Sequence, residues 1–208
     1  MEETSENMPQ AEAGQTRCGF VAIIGAPNAG KSTLLNQLVG SKVAIVTHKV
    51  QTTRSRIRGI AMEGDTQIVF VDTPGIFKPK RRLDKAMVDA AWGGAGDADA
   101  IILMVDAEYE REEDLERIVE GLKSQGRKAI LVLNKIDATK REKLLKLAER
   151  LNETGIFTDT FMISAMKGSG VADLRRHLAK MMPAGPWHYP EDQAADVPLR
   201  SLAAEVTR

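Results

Sequence analysis

The sequence predicts an α/β fold: a mostly parallel six-stranded sheet with one antiparallel strand at an edge and helices on both faces. Two observations predict it. From Arg17 onward, short apolar runs of strand length alternate with longer amphipathic segments, the pattern of a doubly wound sheet. The runs 55–62 and 66–72, however, are joined only through Glu63-Gly64-Asp65, which is too short for a crossover, so this pair must form an antiparallel hairpin.

The elements follow in chain order. The apolar run at 18–24 is the first strand, and Ser32-Thr-Leu-Leu-Asn-Gln-Leu-Val39 places a helix over 31–39. The hairpin strands come next, the second ending in the apolar Val69-Phe70-Val71. A helix is expected at 82–93, a strand at 99–105 and a helix at 111–124. Ile130-Leu-Val-Leu133 lies in a strand at 128–133, followed by a helix at 139–153. Phe161-Met-Ile163 lies in the last strand, 159–163, and a helix at 170–181 closes the pattern.

The flanks differ in composition. Residues 1–16 are polar, carry Glu2, Glu3, Glu6 and Glu12, and read as a disordered tail. Pro183-Ala-Gly-Pro-Trp-His-Tyr-Pro190 breaks the last helix into an extended linker, which bounds the main domain at 17–182. Trp187, His188 and Tyr189 have the chemistry to stack on bases, but in such a segment they are better read as pins for the linker. Beyond it, Leu199, Leu202, Ala203 and Val206 share one face of a short helix, so 183–208 reads as a linker and the first helix of a second domain.

Composition narrows the class. Lysine plus arginine and aspartate plus glutamate each number 29, so net charge points to no partner. The single cysteine, Cys18, excludes an internal disulfide framework and suits a reducing compartment as a small core residue. No apolar run reaches the ~18–20 residues of a membrane span, and the N-terminus lacks the regions of a signal peptide. A cytoplasmic location is expected.

Four motifs, each after a strand, carry the chemistry. Gly25-Ala-Pro-Asn-Ala-Gly-Lys-Ser32 is a phosphate-binding loop between a strand and a helix, which identifies a P-loop NTPase. Ala26, Pro27, Asn28, Ala29, Gly30, Lys31, Ser32 and Thr33 are expected around the phosphates, with Lys31 bridging the β- and γ-phosphates and Ser32 ligating Mg²⁺. Asp72-Thr73-Pro74-Gly75 follows, with the Asp72 carboxylate holding Mg²⁺ through water and the Gly75 N–H facing the γ-phosphate. Asn134-Lys135-Ile136-Asp137 comes next. Guanine offers an N1–H and an exocyclic amine to the Asp137 carboxylate, a donor pair that adenine lacks. Ser164, Ala165 and Met166 complete the base site beside the guanine O6. The order of the four specifies GTP and GDP as ligands and a GTPase domain as the fold.

Other positions set the switch and the catalysis. Residues 41–54 form the natural switch loop, and a threonine hydroxyl there can complete the Mg²⁺ shell only when the γ-phosphate is present. Thr53, next to the strand, is preferred over Thr52. Ile76 stands where related enzymes carry a water-orienting glutamine, so hydrolysis needs a partner or another source of charge stabilisation. Asn28 either offers its side-chain carbonyl to K⁺ between the phosphates or hydrogen-bonds the loop backbone. The catalytic set is therefore Lys31, Thr53, Gly75 and Asn28. Basic clusters at Lys42, His48, Lys49, Arg54, Arg56 and Arg58, and at Lys78, Lys80, Arg81, Arg82 and Lys85, flank these loops and either face RNA phosphates or are solvated charges.

With these motifs the chain resembles the bacterial Era GTPase family, within a broader group that includes the tRNA-modifying and tandem-domain GTPases. His48-Lys-Val-Gln-Thr-Thr-Arg-Ser-Arg-Ile-Arg-Gly-Ile60 and Tyr189-Pro-Glu-Asp192, with Asp196 and Arg200, carry the narrower resemblance, which extends over nearly all of 17–208. It implies Asn28 as a K⁺ ligand and Thr53 as the switch Mg²⁺ ligand. It also implies a C-terminal KH domain that binds the 3′ region of 16S rRNA, a role in maturation of the 30S ribosomal subunit, and peripheral contact with the inner membrane. Separately, a monomer is expected. Most of that KH domain is absent from these 208 residues, so RNA binding by the chain is expected to be weakened or lost. Two other readings remain: a GTPase domain of a tRNA-modifying enzyme, and a module that holds GTP without turnover.

Overall fold

The computed structural model describes residues 16–41, 57–72, 93, 98–191 and 195–196. Among them run β1 (Arg17–Gly25), α1 (Lys31–Val39), β2 (Ile57–Glu63), β3 (Thr66–Asp72), β4 (Ala100–Asp106), α2 (Glu112–Ser124), β5 (Ala129–Asn134), α3 (Arg141–Asn152), β6 (Phe157–Met162), α4 (Val171–Met181) and β7 (Ala195–Asp196). Apart from Gly93, the helix expected at 82–93 lies outside the described residues, as do the tail through residue 15, the helix expected beyond Leu199 and most of both basic clusters.

The sheet order is β6-β5-β4-β1-β3-β2-β7. The five strands from β6 to β3 are parallel, and β2 runs antiparallel to β3. Gly64 makes the tight hairpin possible: its φ of 57° is a left-handed conformation that costs glycine little. The six expected strands are all present, but β2 is not the edge. A two-residue seventh strand pairs antiparallel with Arg58 and Gly59, because the chain after α4 crosses back over the sheet to reach it.

Strand alternation sends side chains to two cores. Val21, Ile23, Ile68, Phe70, Ile102, Met104, Ile130 and Val132 pack with Leu34, Leu35 and Leu38 of α1 and Leu174 and Leu178 of α4. Ala22, Ile24, Ile101, Leu103, Val105, Leu131 and Leu133 face the other way, against Leu115, Ile118 and Leu122 of α2 and Leu144, Leu147 and Leu151 of α3. With both faces covered, the central strands read as continuous apolar runs. Their C-terminal ends all open on one side, where loops from β1, β4, β5 and β6 meet.

The opposite side carries a strap. Thr16 exchanges hydrogen bonds with Gly185, and the Cys18 N–H donates to the Pro183 carbonyl. The Trp187 indole N–H donates to the Asp65 carbonyl, and the His188 ring packs 5.3 Å from that of Phe20. The side chain of Gln67, fully buried, accepts from the His188 and Tyr189 N–H groups at 2.9 and 3.0 Å and donates to the Tyr189 carbonyl at 2.8 Å. Trp187 and His188 thus pin the linker through their rings, and Tyr189 is tied through its backbone. Cys18 is a core residue whose thiol donates to Gln67 at 3.6 Å, and burial pushes that thiol above its ordinary pKa.

Candidate functional site

The phosphate-binding loop is shaped by β1 and its two neighbours. Parallel register sets Ile23 beside Asp72 of β3 and Gly25 beside Met104 of β4. Gly25 has φ 154°, and a Cβ there would lie 2.3 Å from the Met104 carbonyl oxygen, so only glycine lets the chain turn against β4. Asn28 is left-handed at φ 65° and exposed at the loop tip, between the buried Pro27 and Ala29. Gly30 (φ 101°) begins α1 with no side-chain cap and no acidic residue in the first turn. The N–H groups and dipole of that helix end are thus left to serve an anion. Lys31 arches over the loop, its ammonium donating to the carbonyls of Gly25 and Ala26 at 3.2 and 3.0 Å. Ser32 is buried directly below, with Thr33 half-buried beside it.

The base-recognition residues are attached to this loop by one amide. Asn134, 3% exposed, donates from Nδ2 to the Ala29 carbonyl at 2.8 Å and accepts the Ala165 N–H on Oδ1 at 2.9 Å. It thereby joins the loop after β1 to the loop after β6. Lys135 is left-handed at φ 67°, and its ammonium pairs with Asp106 Oδ2 at 2.5 Å. Its carbonyl accepts the Ala138 N–H and the Thr139 hydroxyl, each at 3.0 Å. Asp137 stands at the rim. The Ser164 hydroxyl bonded to its carboxylate holds it below the ordinary carboxylate pKa of 3.8, and Lys167, 3.4 Å away, acts in the same direction. Ser164 is itself fixed by its N–H to the Ser169 carbonyl and by accepting the Lys167 N–H. Met166 lies open to solvent.

The structure therefore gathers Ala26 to Thr33, Asn134, Lys135, Asp137, Ser164, Ala165 and Met166 at one end of the sheet. Asp72 ends β3 at this end by backbone register. Thr53, Thr73, Pro74, Gly75 and Ile76 lie outside the described residues. Asp106 was not among the expected site residues. Its signal was present, since an apolar strand ending in a carboxylate is the pattern that drew attention to Asp72. No group of three or more His, Cys, Asp or Glu side chains capable of holding a metal occurs among the described residues. No helix among the described residues is long and apolar enough to cross a membrane.

Comparison with known proteins agrees with this geometry. A protein family described as "50S ribosome-binding GTPase" matches residues 20–135. The chain is 60% identical over 205 residues to GTPase Era of Brucella suis, covering 99% of this chain and 66% of that protein. It is 59% identical over 208 residues to GTPase Era of Mesorhizobium japonicum, covering 100% of this chain and 67% of that protein. Among solved structures it is similar to Era in complex with MgGDPNP and nucleotides 1506–1542 of 16S ribosomal RNA, with TM-score 0.85 and 40% identity over 92% of this chain and 65% of that one. The chain thus spans about two thirds of the length of these relatives.

Proposed function

The chain belongs to the GTPase Era family, and from that premise we propose that it is a guanine-nucleotide switch that hydrolyses GTP to GDP and phosphate. The observation that carries the reading is Asn134, a buried amide that ties the phosphate loop to the base loop. A body that offers an uncapped helix end to phosphates and a carboxylate to a base is built for a nucleotide with two adjacent donors on its base. Ser32 and Thr53 would hold Mg²⁺, with Asp72 reaching it through water. When bound, that ion neutralises charge on the β- and γ-phosphates.

In this reading Lys31 leaves the loop carbonyls for the β- and γ-phosphate oxygens, and the Gly75 N–H stabilises charge developing on the γ-phosphate. Ile76 has no group to orient water, so Asn28 is given the role of K⁺ ligand. Its exposed, left-handed place at the loop tip leaves its side chain available for that role. Titration with a fluorescent guanine nucleotide and phosphate release in K⁺ and in Na⁺ at equal ionic strength test the reading. We expect K⁺ stimulation that Asn28→Ala abolishes. Tight binding without phosphate release in either salt, even with ribosomal subunits added, replaces the switch by a binding module.

The partner proposed for the longer protein is 16S rRNA within the 30S subunit, because an Era structure similar to this chain holds a 16S fragment. In this reading residues 17–182 form the GTPase domain, and 183–208 the linker and first helix of a KH domain. The chain alone is expected to bind the RNA 3′ fragment weakly or not at all, which a filter-binding comparison with a form carrying the KH domain checks. A cytoplasmic monomer, with peripheral inner-membrane contact in the longer protein, completes the proposal.

A further inference from the structure

Asp106 closes β4 directly beside Asn134, its register partner on β5. Its two carboxylate oxygens do different things. Oδ1 accepts the Glu108 and Tyr109 N–H groups, both at 3.0 Å, and so turns the chain out of the strand. Oδ2 accepts the Lys135 ammonium at 2.5 Å. This ion pair is sheltered on its acidic side, with the Asp106 side chain only 12% exposed against 35% for Lys135. Lys135 needs holding, because a non-glycine residue at φ 67° sits in a sparsely populated backbone region. The turn that this conformation starts carries Asp137 two residues on.

Further contacts hold the Asp106 loop in place. The Ala107 N–H donates to the Asn134 carbonyl at 3.0 Å. Lys143 on α3 donates to the Glu108 carbonyl at 2.9 Å. Arg150, also on α3, pairs with Glu110 and Glu112. Asp106 thus rests on a braced loop from which it holds Lys135.

We propose that Asp106 is a positioning residue for guanine specificity: through Lys135 it fixes the left-handed turn that aims the Asp137 carboxylate at the base. The proposal rests on the nucleotide reading above and assigns Asp106 no contact with the nucleotide.

The test compares GDP with IDP, whose base lacks the exocyclic amine. Asp106→Asn keeps an oxygen for the Glu108 and Tyr109 N–H groups but offers Lys135 no charge, and Asp106→Ser does the same with a smaller group. If Asp106 aims Asp137, GDP affinity falls about tenfold, the scale of one charge-assisted hydrogen bond. IDP affinity then falls only about two- to threefold, so the GDP-to-IDP ratio narrows. Adding Lys135→Met to Asp106→Asn should narrow it no further than Lys135→Met alone. Loss of GDP and IDP affinity in parallel, with the ratio intact, makes Asp106 a structural residue only and overturns the proposal. Should both Asp106 variants unfold, the wild-type GDP complex decides by NMR: a slowly exchanging Lys135 ammonium is expected, and one that exchanges as freely as the surface lysines overturns it. No guanine-nucleotide binding by the wild type sinks the function and this inference together, whereas binding with an unchanged ratio sinks the inference alone.

Discussion

Two buried amides, at opposite ends of the same sheet, do the same physical work. Asn134 bridges the Ala29 carbonyl and the Ala165 N–H at the C-terminal ends of the strands. Gln67 bridges the N–H groups of His188 and Tyr189 and the Tyr189 carbonyl near the N-terminal ends. Each presents donors and acceptors to distant backbone: the Asn134 partners are buried, where an unpaired group costs about 1–3 kcal/mol, and the Gln67 partners are half-buried to exposed. They differ in what the tethered segments do. Asn134 unites the two loops proposed to face the nucleotide, so its loss is expected to be felt as affinity. Gln67 ties a linker to the hairpin, so its loss is felt as stability.

The largest effect expected is at Asn134. Asn134→Ala leaves the Ala29 carbonyl and the Ala165 N–H without partners and frees the two loops from each other. Two such losses at about 1–3 kcal/mol each allow a fall of roughly 30-fold or more in guanine-nucleotide affinity, measured by titration calorimetry. A fall of less than about threefold would break the comparison, because it would show that the loops keep their places without the amide. Asp137→Asn sharpens it from the ligand side. It replaces an acceptor pair with an amide and should weaken GTP by about 1–3 kcal/mol, while leaving Asn134 and the loop junction untouched.

Legibility in the sequence followed the same division. The six parallel and hairpin strands were readable because burial on both faces forces continuous apolar runs such as Ile130 to Leu133. The phosphate and base loops were readable because a nucleotide fixes which residues must stand at which spacing, from Gly25 to Ser32 and from Asn134 to Asp137. Gln67 could not be read. It sits near the start of the strand Thr66–Asp72 beside an apolar run, and its backbone partners lie more than 120 positions away. Nothing local imposes its identity. The seventh strand was missed for a related reason: two residues, Ala195 and Asp196, carry no periodicity, and their pairing depends on where the strap delivers them. Asp106 falls between these cases, in a readable position with an unreadable partner, since Lys135 already had a role in its own motif.

Gln67→Ala should come next in size and appear in a different measurement. It removes the acceptor shared by the His188 and Tyr189 N–H groups and opens a cavity beside Cys18. The expected cost is about 2–4 kcal/mol, or roughly 4–16 °C in thermal midpoint for a chain of this size. Guanine-nucleotide affinity should stay within about twofold, because the change lies at the far end of the sheet. A large drop in affinity would contradict the division between the two ends.

The smallest expected effect is the most local. Asp137 is held below its ordinary pKa of 3.8 first by the Ser164 hydroxyl, with burial opposing and Lys167 assisting. A carboxylate with a lowered value favours the state that holds it. That preference is fully present above the ordinary value and is lost as pH falls through the lowered one. Guanine affinity should therefore be flat from about pH 8 down to about pH 5. Ser164→Ala removes the main cause and should raise the Asp137 titration midpoint toward its ordinary value, read directly from its side-chain carboxyl carbon by NMR. Lys167→Ala should move it the same way but less, because that ammonium is 62% exposed and screened by solvent. If the Lys167 variant shifted the midpoint more than the Ser164 variant, the hydroxyl would not be the group that keeps Asp137 ionised. The Asn134 junction would then place Ser164 near the base for some purpose other than tuning its partner.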